Sequence, residues 1–201
     1  MKEGLCREGL QPFLQRDTMK NIVYFDLETQ RSADEVGGWN YADKMGMSIG
    51  VTYSTARESY HIYDEAHVMD LIRELQRADL VVGYNHCGFD YKVLMGYYPM
   101  DLRPLIPSLD LLEEVQKYIP HRLKMDALAQ MTLGVQKTAE GLQALRWYKE
   151  GRFLEIAEYC CFDVKITRLL HEYGQKHGRL YYQNRNGGIM AVPASWATES
   201  V

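Results

Sequence analysis

Apolar and polar positions along the chain alternate with two different periods. Asn21-Ile22-Val23-Tyr24-Phe25-Asp26-Leu27-Glu28 is rich in β-branched and aromatic residues and predicts a strand. A long loop broken by Gly37-Gly38 and Gly46 follows. Met47 to Ser54 and Glu58 to Tyr63 predict two more strands around a polar Thr55-Ala56-Arg57 turn, completing an antiparallel meander. The period then lengthens. Val68, Leu71, Ile72 and Leu75 recur at helical spacing within Glu65 to Arg77. Leu80 to Tyr84 is a short continuous apolar run, the mark of a strand buried on both faces.

A helix is expected over Phe89 to Tyr97, and a fifth strand at Ser108-Leu109-Asp110. The rest is mostly helical, over about 111–118, 125–133, 140–149 and 153–177. Hairpin-linked strands followed by β-α-β-α elements predict an α/β fold: a mixed five-stranded sheet, antiparallel then parallel, flanked by helices. Leu180 to Gln183 and Ile189 to Val192, around a polar turn at Asn184–Gly188, predict a C-terminal hairpin, with Trp196 beyond it as a packing anchor. Residues 1–18 carry no periodicity and are expected to form a flexible N-terminal extension, with Met19 as an alternative start. One domain is expected over 19–178, and 179–201 as a tail packed on it.

Composition changes this picture little. The 46% apolar content of the 201 residues describes an ordinary folded protein. No apolar run approaches a membrane span, and the charged N-terminus lacks the apolar stretch of a secretory signal. A cytoplasmic location and no membrane partner are expected. The four cysteines make no C-x-x-C pair and no zinc spacing with the histidines. Net charge −4 argues against tight unaided binding to bulk nucleic acid. Its distribution is uneven: residues 22–79 hold five Lys/Arg against eleven Asp/Glu, and 121–152 hold six against three. That asymmetry is either a metal site beside a phosphate-tolerant surface or chance on solvated faces.

Three carboxylate-bearing segments carry the candidate chemistry. Asp26 and Glu28, two apart on a strand, project from one face. Burying the pair without a cation is costly, so they are either metal ligands or wet residues at a strand end. Asp90 closes Gly83-Tyr84-Asn85-His86-Cys87-Gly88-Phe89-Asp90, where a buried strand passes into a helix. It is either a site residue or a helix cap, and Asn85 either a site or a turn residue. Tyr159 and Asp163, four apart, share one face of the last long helix, facing a cleft or solvent.

In chain order these segments read Y-F-D-L-E-T, Y-N-H-C-G-F-D-Y and Y-C-C-F-D. Together they resemble the three motifs of the DEDD exonuclease superfamily, whose domain has a ribonuclease H-like fold. Tyrosine four residues before the last aspartate is similar to the DEDDy subgroup, which includes proofreading domains of family B DNA polymerases. More narrowly, the chain resembles stand-alone bacterial and archaeal predicted exonucleases. The resemblance runs from about Asn21 to Tyr173, with no departure at the acidic positions.

The resemblance implies that Asp26, Glu28, Asp90 and Asp163 hold two divalent cations, Mg²⁺ or Mn²⁺, with Asp26 bridging them. It implies that Tyr159 orients the attacking water and that Thr29, Asn85 and Phe89 position the terminal nucleotide. The expected activity is 3′–5′ exonuclease hydrolysis, releasing nucleoside 5′-monophosphates from a free, single-stranded 3′ end, with a helicase or polymerase as a possible partner. A non-catalytic nucleic-acid-binding or scaffold module of the same fold is the alternative. A ribonuclease H-like endonuclease is a third reading, against which the Tyr159–Asp163 spacing argues. Trp39 and Tyr41 either stack on bases or pin their loop to the core, the second being preferred. Asp110 is expected to cap the helix at Leu111.

Overall fold

The computed structural model describes residues 20–135 and 141–198; the expected extension at 1–18 lies outside them. Strand β1 (Ile22–Thr29) lies at the centre of a five-stranded sheet of order β3-β2-β1-β4-β5. Strands β2 (Met47–Ser54) and β3 (Ser59–Asp64) complete the antiparallel meander. Strands β4 (Leu80–Gly83) and β5 (Ser108–Asp110) add to its other side in parallel. The mixed sheet expected from the order of periods is the one that forms.

Between β1 and β2, the segment expected to be a loop holds a short helix, α1 (Ala33–Val36), and a 3-10 helix over Trp39–Lys44. Helix α1 is bounded by a Ser32/Glu35 capping box and by Gly37 in the left-handed region (φ 95°). Helix α2 (Val68–Arg77) follows a 3-10 turn at Glu65–His67. Helix α3 (Asp90–Leu94) is shorter than the expected 89–97. Asn85 adopts φ 66°, and Phe89 precedes the helix in a non-helical conformation, so helical geometry starts only at Asp90. Helices α4 (Leu111–Gln116), α5 (Met125–Leu133), α6 (Gly141–Lys149) and α7 (Phe153–His177) follow. The hairpin of β6 (Arg179–Gln183) and β7 (Ile189–Pro193) follows, and a 3-10 helix at Ser195–Thr198 ends the described chain. Among the described residues, no helix is long and apolar enough to cross a membrane.

The two-residue period of β1 sorts its side chains between two cores. Val23, Phe25 and Leu27 pack with Leu71, Ile72 and Tyr91, beneath α2 and α3. Tyr24, on the other face, joins Val51, Cys160 and Val164 beneath α7. The same core takes in Leu180, Val192 and Trp196, so the hairpin packs on the domain. Asp26 and Glu28 continue the Tyr24 face toward the C-terminal end of β1, where the apolar cover runs out.

Candidate active site

Helix α7 crosses the Asp26–Glu28 face of β1. Ile156, Cys160 and Val164 bury its apolar stripe against the sheet, which sets the rotation of the helix. Cys160 Sγ lies 3.4 Å from the Asp26 carbonyl and 3.6 Å from its Oδ2. Asp163, three residues on from Cys160, is carried to the edge of this contact and is buried. One carboxylate oxygen each from Asp26, Glu28 and Asp163 then fall within 4.8 Å of one another. Residues distant in sequence meet because strand and helix cross at this point.

Tyr159, one turn before Asp163, is buried and packs edge-on to Trp147, with ring centroids 6.1 Å apart. Burial pushes its phenol far above the ordinary range, and the charges of Asp163, Glu28 and Asp26 push it further. The Cys160 thiol is raised by burial and by the same three carboxylates. Negative potential is thus concentrated around the three carboxylates, and both neighbouring groups keep their protons.

Asp90 does not share the 4.8 Å grouping. It is buried, and its Oδ1 accepts the Leu27 N–H at 3.1 Å, between the two carboxylates of β1. Burial raises its carboxyl, the Leu27 amide draws it back, and the charge of Asp110 raises it again. Thr29 is buried, and its hydroxyl donates to the Arg31 carbonyl at 3.0 Å. The Asn85 carbonyl accepts the N–H groups of Gly88 and Phe89 at 3.1 and 2.9 Å, so the residue turns the chain after β4. Phe89 is half-buried, with the Trp39 ring edge-on at 5.7 Å.

The preferred reading of Trp39 as a pin for its loop does not hold. Its ring is 70% exposed, and Tyr41 is also exposed, with the Lys44 ammonium over its ring. Buried Ala42 and Met45, with backbone bonds from Gln30 and Arg31 to Gly46 and Met45, hold the segment instead. Asp110 does cap α4, accepting Leu112 and Glu113 N–H groups. It also accepts Asn85 N–H at 2.7 Å and Cys87 N–H at 3.0 Å, tying down the loop that leads to Asp90. Sequence reasoning missed that second task because Asp110 is remote from the loop along the chain. It also missed Asp126 on α5, whose charge raises the Tyr159 phenol, and the pairing of Lys149 with Glu35 at 2.7 Å, which links α6 to α1.

A family model described as the RNase_H superfamily matches residues 23–175. No curated protein matches the chain. Among solved structures, the family B DNA polymerase from the hyperthermophilic archaeon Pyrobaculum calidifontis is similar in fold, with TM-score 0.57 and 16% identity. The match covers 84% of this chain and 25% of the polymerase, so the chain spans about a quarter of that protein's length.

Proposed function

The chain belongs to the ribonuclease H superfamily, and on that premise we propose that it is a DEDDy-type 3′–5′ exonuclease acting on single-stranded nucleic acid. The meeting of Asp26, Glu28 and Asp163 oxygens within 4.8 Å carries this reading, with Tyr159 one helical turn away. All three donors are carboxylates, the ligation that hard Mg²⁺ or Mn²⁺ prefers. Asp26, Glu28 and Asp163, with Asp90 completing the set, would hold two such ions. When bound, paired divalent cations supply Lewis acidity and charge neutralisation for in-line displacement at phosphorus.

The chain's own residues do the rest. Tyr159, its phenol kept protonated by burial and surrounding carboxylates, donates a hydrogen bond that orients the attacking water rather than removing its proton. Phe89 and Trp39 present aromatic surface where the terminal base would lie, while Asn85 and Thr29 shape the backbone on either side. The water oxygen bonds to phosphorus and loses a proton to solvent as the P–O3′ bond breaks and the departing 3′-oxygen takes a proton up. The products are a nucleoside 5′-monophosphate and a chain shortened by one residue, ending in a 3′-hydroxyl. With a formal charge of −4, binding depends on local contacts and falls steeply with salt, which favours delivery by a helicase or polymerase partner.

Digestion of 5′- and 3′-labelled oligonucleotides with Mn²⁺ or Mg²⁺ tests this reading. The expected result is stepwise loss of mononucleotides from the 3′ end, abolished in Asp26→Ala and Asp163→Ala. Wild type and both variants behaving alike would overturn it, and cleavage of a circular substrate would transfer the assignment to an endonuclease.

A further inference from the structure

A second cluster lies in the loop that leads to Asp90. Strands β4 and β5 pair in parallel with Gly83 opposite Asp110, so both strands end at the same edge of the sheet. His86 and Cys87 follow Gly83 by three and four residues, and the chain turns them toward Asp110. His86 and Asp110 are 1% and 4% exposed and Cys87 is 8% exposed. One donor atom from each lies within 4.8 Å of the others.

Backbone N–H groups satisfy Asp110, but the His86 ring is left with a poorly partnered nitrogen. His86 Nδ1 stands 3.6 Å from Asp110 Oδ2, too far for a hydrogen bond, and has no hydrogen-bond partner of good geometry, although the Gly83 backbone also acts on the ring. Cys87 Sγ lies 3.6 Å from the other ring nitrogen, Nε2, in a weak sulfur hydrogen bond. A buried nitrogen left as Nδ1 is left is costly. The arrangement resembles a nucleophile, base and orienting carboxylate, but its electrostatics oppose thiol activation. Burial pushes the Cys87 thiol up to about 12, aided by Asp110, and burial with Arg103 pushes the His86 imidazole down to about 3.

We propose that His86, Cys87 and Asp110 form a binding site for a single Zn²⁺ ion that ties the end of β5 to the loop carrying Asn85, Phe89 and Asp90. Tetrahedral zinc, with bonds of about 2.0–2.3 Å, separates a nitrogen and a sulfur ligand by roughly 3.5 Å, close to the 3.6 Å between His86 Nε2 and Cys87 Sγ, so Nε2 is the ligating nitrogen and Asp110 completes the set from the same 4.8 Å grouping. Nitrogen, sulfur and carboxylate donors suit this borderline-soft ion, in contrast to the all-oxygen grouping of Asp26, Glu28 and Asp163. The neutral imidazole is already in its ligating form. Binding forms a zinc–sulfur bond as the Cys87 S–H bond breaks, and the proton leaves to solvent. One thiolate and one carboxylate then balance the double charge, so the buried site is neutral. Backbone N–H groups of Asn85, Cys87, Leu112 and Glu113 already orient the Asp110 carboxylate. Cys87 also lines a cavity of about 570 Å³ with Tyr91, Lys92 and Arg103, which gives a path for the ion and a fourth, water ligand. Adjacent His86-Cys87 with Asp110 on another strand fits no spacing rule, so the sequence alone does not show the site.

This inference is independent of the nuclease reading. The test is Co²⁺ titration of the metal-stripped, untagged chain. One equivalent should give a near-ultraviolet thiolate-to-cobalt band with visible tetrahedral bands, displaced by Zn²⁺. Cys87→Ser should remove the thiolate band and weaken binding about tenfold or more, while Cys161→Ser and Asp26→Asn should retain it. Absence of a thiolate band in the wild type would overturn the proposal. So would a band that survives Cys87→Ser or disappears in Cys161→Ser. If Cys87→Ser does not fold, alkylation of the wild-type chain decides: Zn²⁺ should protect Cys87, mapped by mass spectrometry, and equal labelling with and without Zn²⁺ rejects the site. Mn²⁺-dependent nuclease activity is read separately, so one reading can fail without the other.

Discussion

The Leu27 amide, between Asp26 and Glu28 on β1, donates to Asp90 Oδ1 at 3.1 Å. The bond locks the first and second carboxylate segments together through the backbone. It gives Asp90 a structural role that any metal role would be added to.

Two substitutions separate those roles. Asp90→Ala leaves the buried Leu27 N–H without its acceptor and should cost about 1–3 kcal/mol of stability. Asp90→Asn keeps an oxygen acceptor and the shape while removing the charge. It should unfold in urea close to wild type, yet lose about 10–100-fold in Mn²⁺ affinity or nucleolytic rate. Equal rates in Asp90→Asn and wild type would show that the bond to Leu27 is its only task.

Tyr159→Phe tests orientation against proton removal. The phenol is pushed so far up by burial and by Asp163, Glu28 and Asp26 that it does not ionise at neutral pH. Loss of the hydroxyl should lower kcat by roughly tenfold to a hundredfold through misplacement of the water. The shape of the pH–rate profile should not change. Disappearance of a basic limb from the profile would make Tyr159 a titrating base instead.

Much of this arrangement is legible along the chain. The two-residue period of β1 places Asp26 and Glu28 on one face and Val23, Phe25 and Leu27 on the other. Gly134 and Gly178, both left-handed, end α5 and α7 where the helical periods stop. Local punctuation also misleads. The Gly37-Gly38 pair suggests a plain loop, though Ser32 and Glu35 carry the spacing of a capping box. Helix α3 is overrun in a sequence reading mainly at its C-terminal end, where Met95, Gly96 and Tyr97 turn the chain instead of continuing the helix. The relations that a sequence hides are the long-range ones. Asp110 reaches Asn85 and Cys87 only through parallel pairing of β4 with β5, and Trp39 meets Phe89 only because its 3-10 helix docks on α3.

That docking is tight enough to test. A Cβ added at Gly96, just beyond α3, would stand 2.1 Å from the backbone carbonyl oxygen of Asp43 in the 3-10 helix that carries Trp39. Backbone cannot yield as a side-chain tip does. Gly96→Ala should therefore cost about 1–3 kcal/mol and displace the Trp39 platform. The expected readouts are a lower urea midpoint and a raised KM for single-stranded oligonucleotides. Trp39→Ala should raise KM with little change in stability, since the ring is largely exposed. If Gly96→Ala leaves both readouts at wild-type values, the segment is not rigidly mounted.

His171 supplies a prediction about acid. Its ring is buried, with Nδ1 2.9 Å from the Tyr24 hydroxyl and Trp196 stacked at 6.3 Å. Burial raises the Tyr24 phenol, so the hydroxyl keeps its proton and stays hydrogen-bonded to a neutral imidazole, the tautomer setting which of the two donates. Burial also pushes His171 down to about 4, from about 6.5 in an unfolded chain. Between these values the unfolded chain binds the extra proton, so stability rises with pH across the window. His171 imposes no acid penalty above pH 6.5. Its penalty grows as pH falls and is complete below about 4. At about 1.4 kcal/mol per tenfold change in proton affinity, the full penalty is roughly 2–4 kcal/mol. His171→Gln retains an amide near Tyr24 and removes the titration. Urea unfolding at pH 7.5, 5.5 and 4.5 should show the wild type losing more stability than the variant as pH falls, by up to that amount. Parallel curves for the two proteins would mean that the imidazole protonates in the folded state as readily as in the unfolded chain.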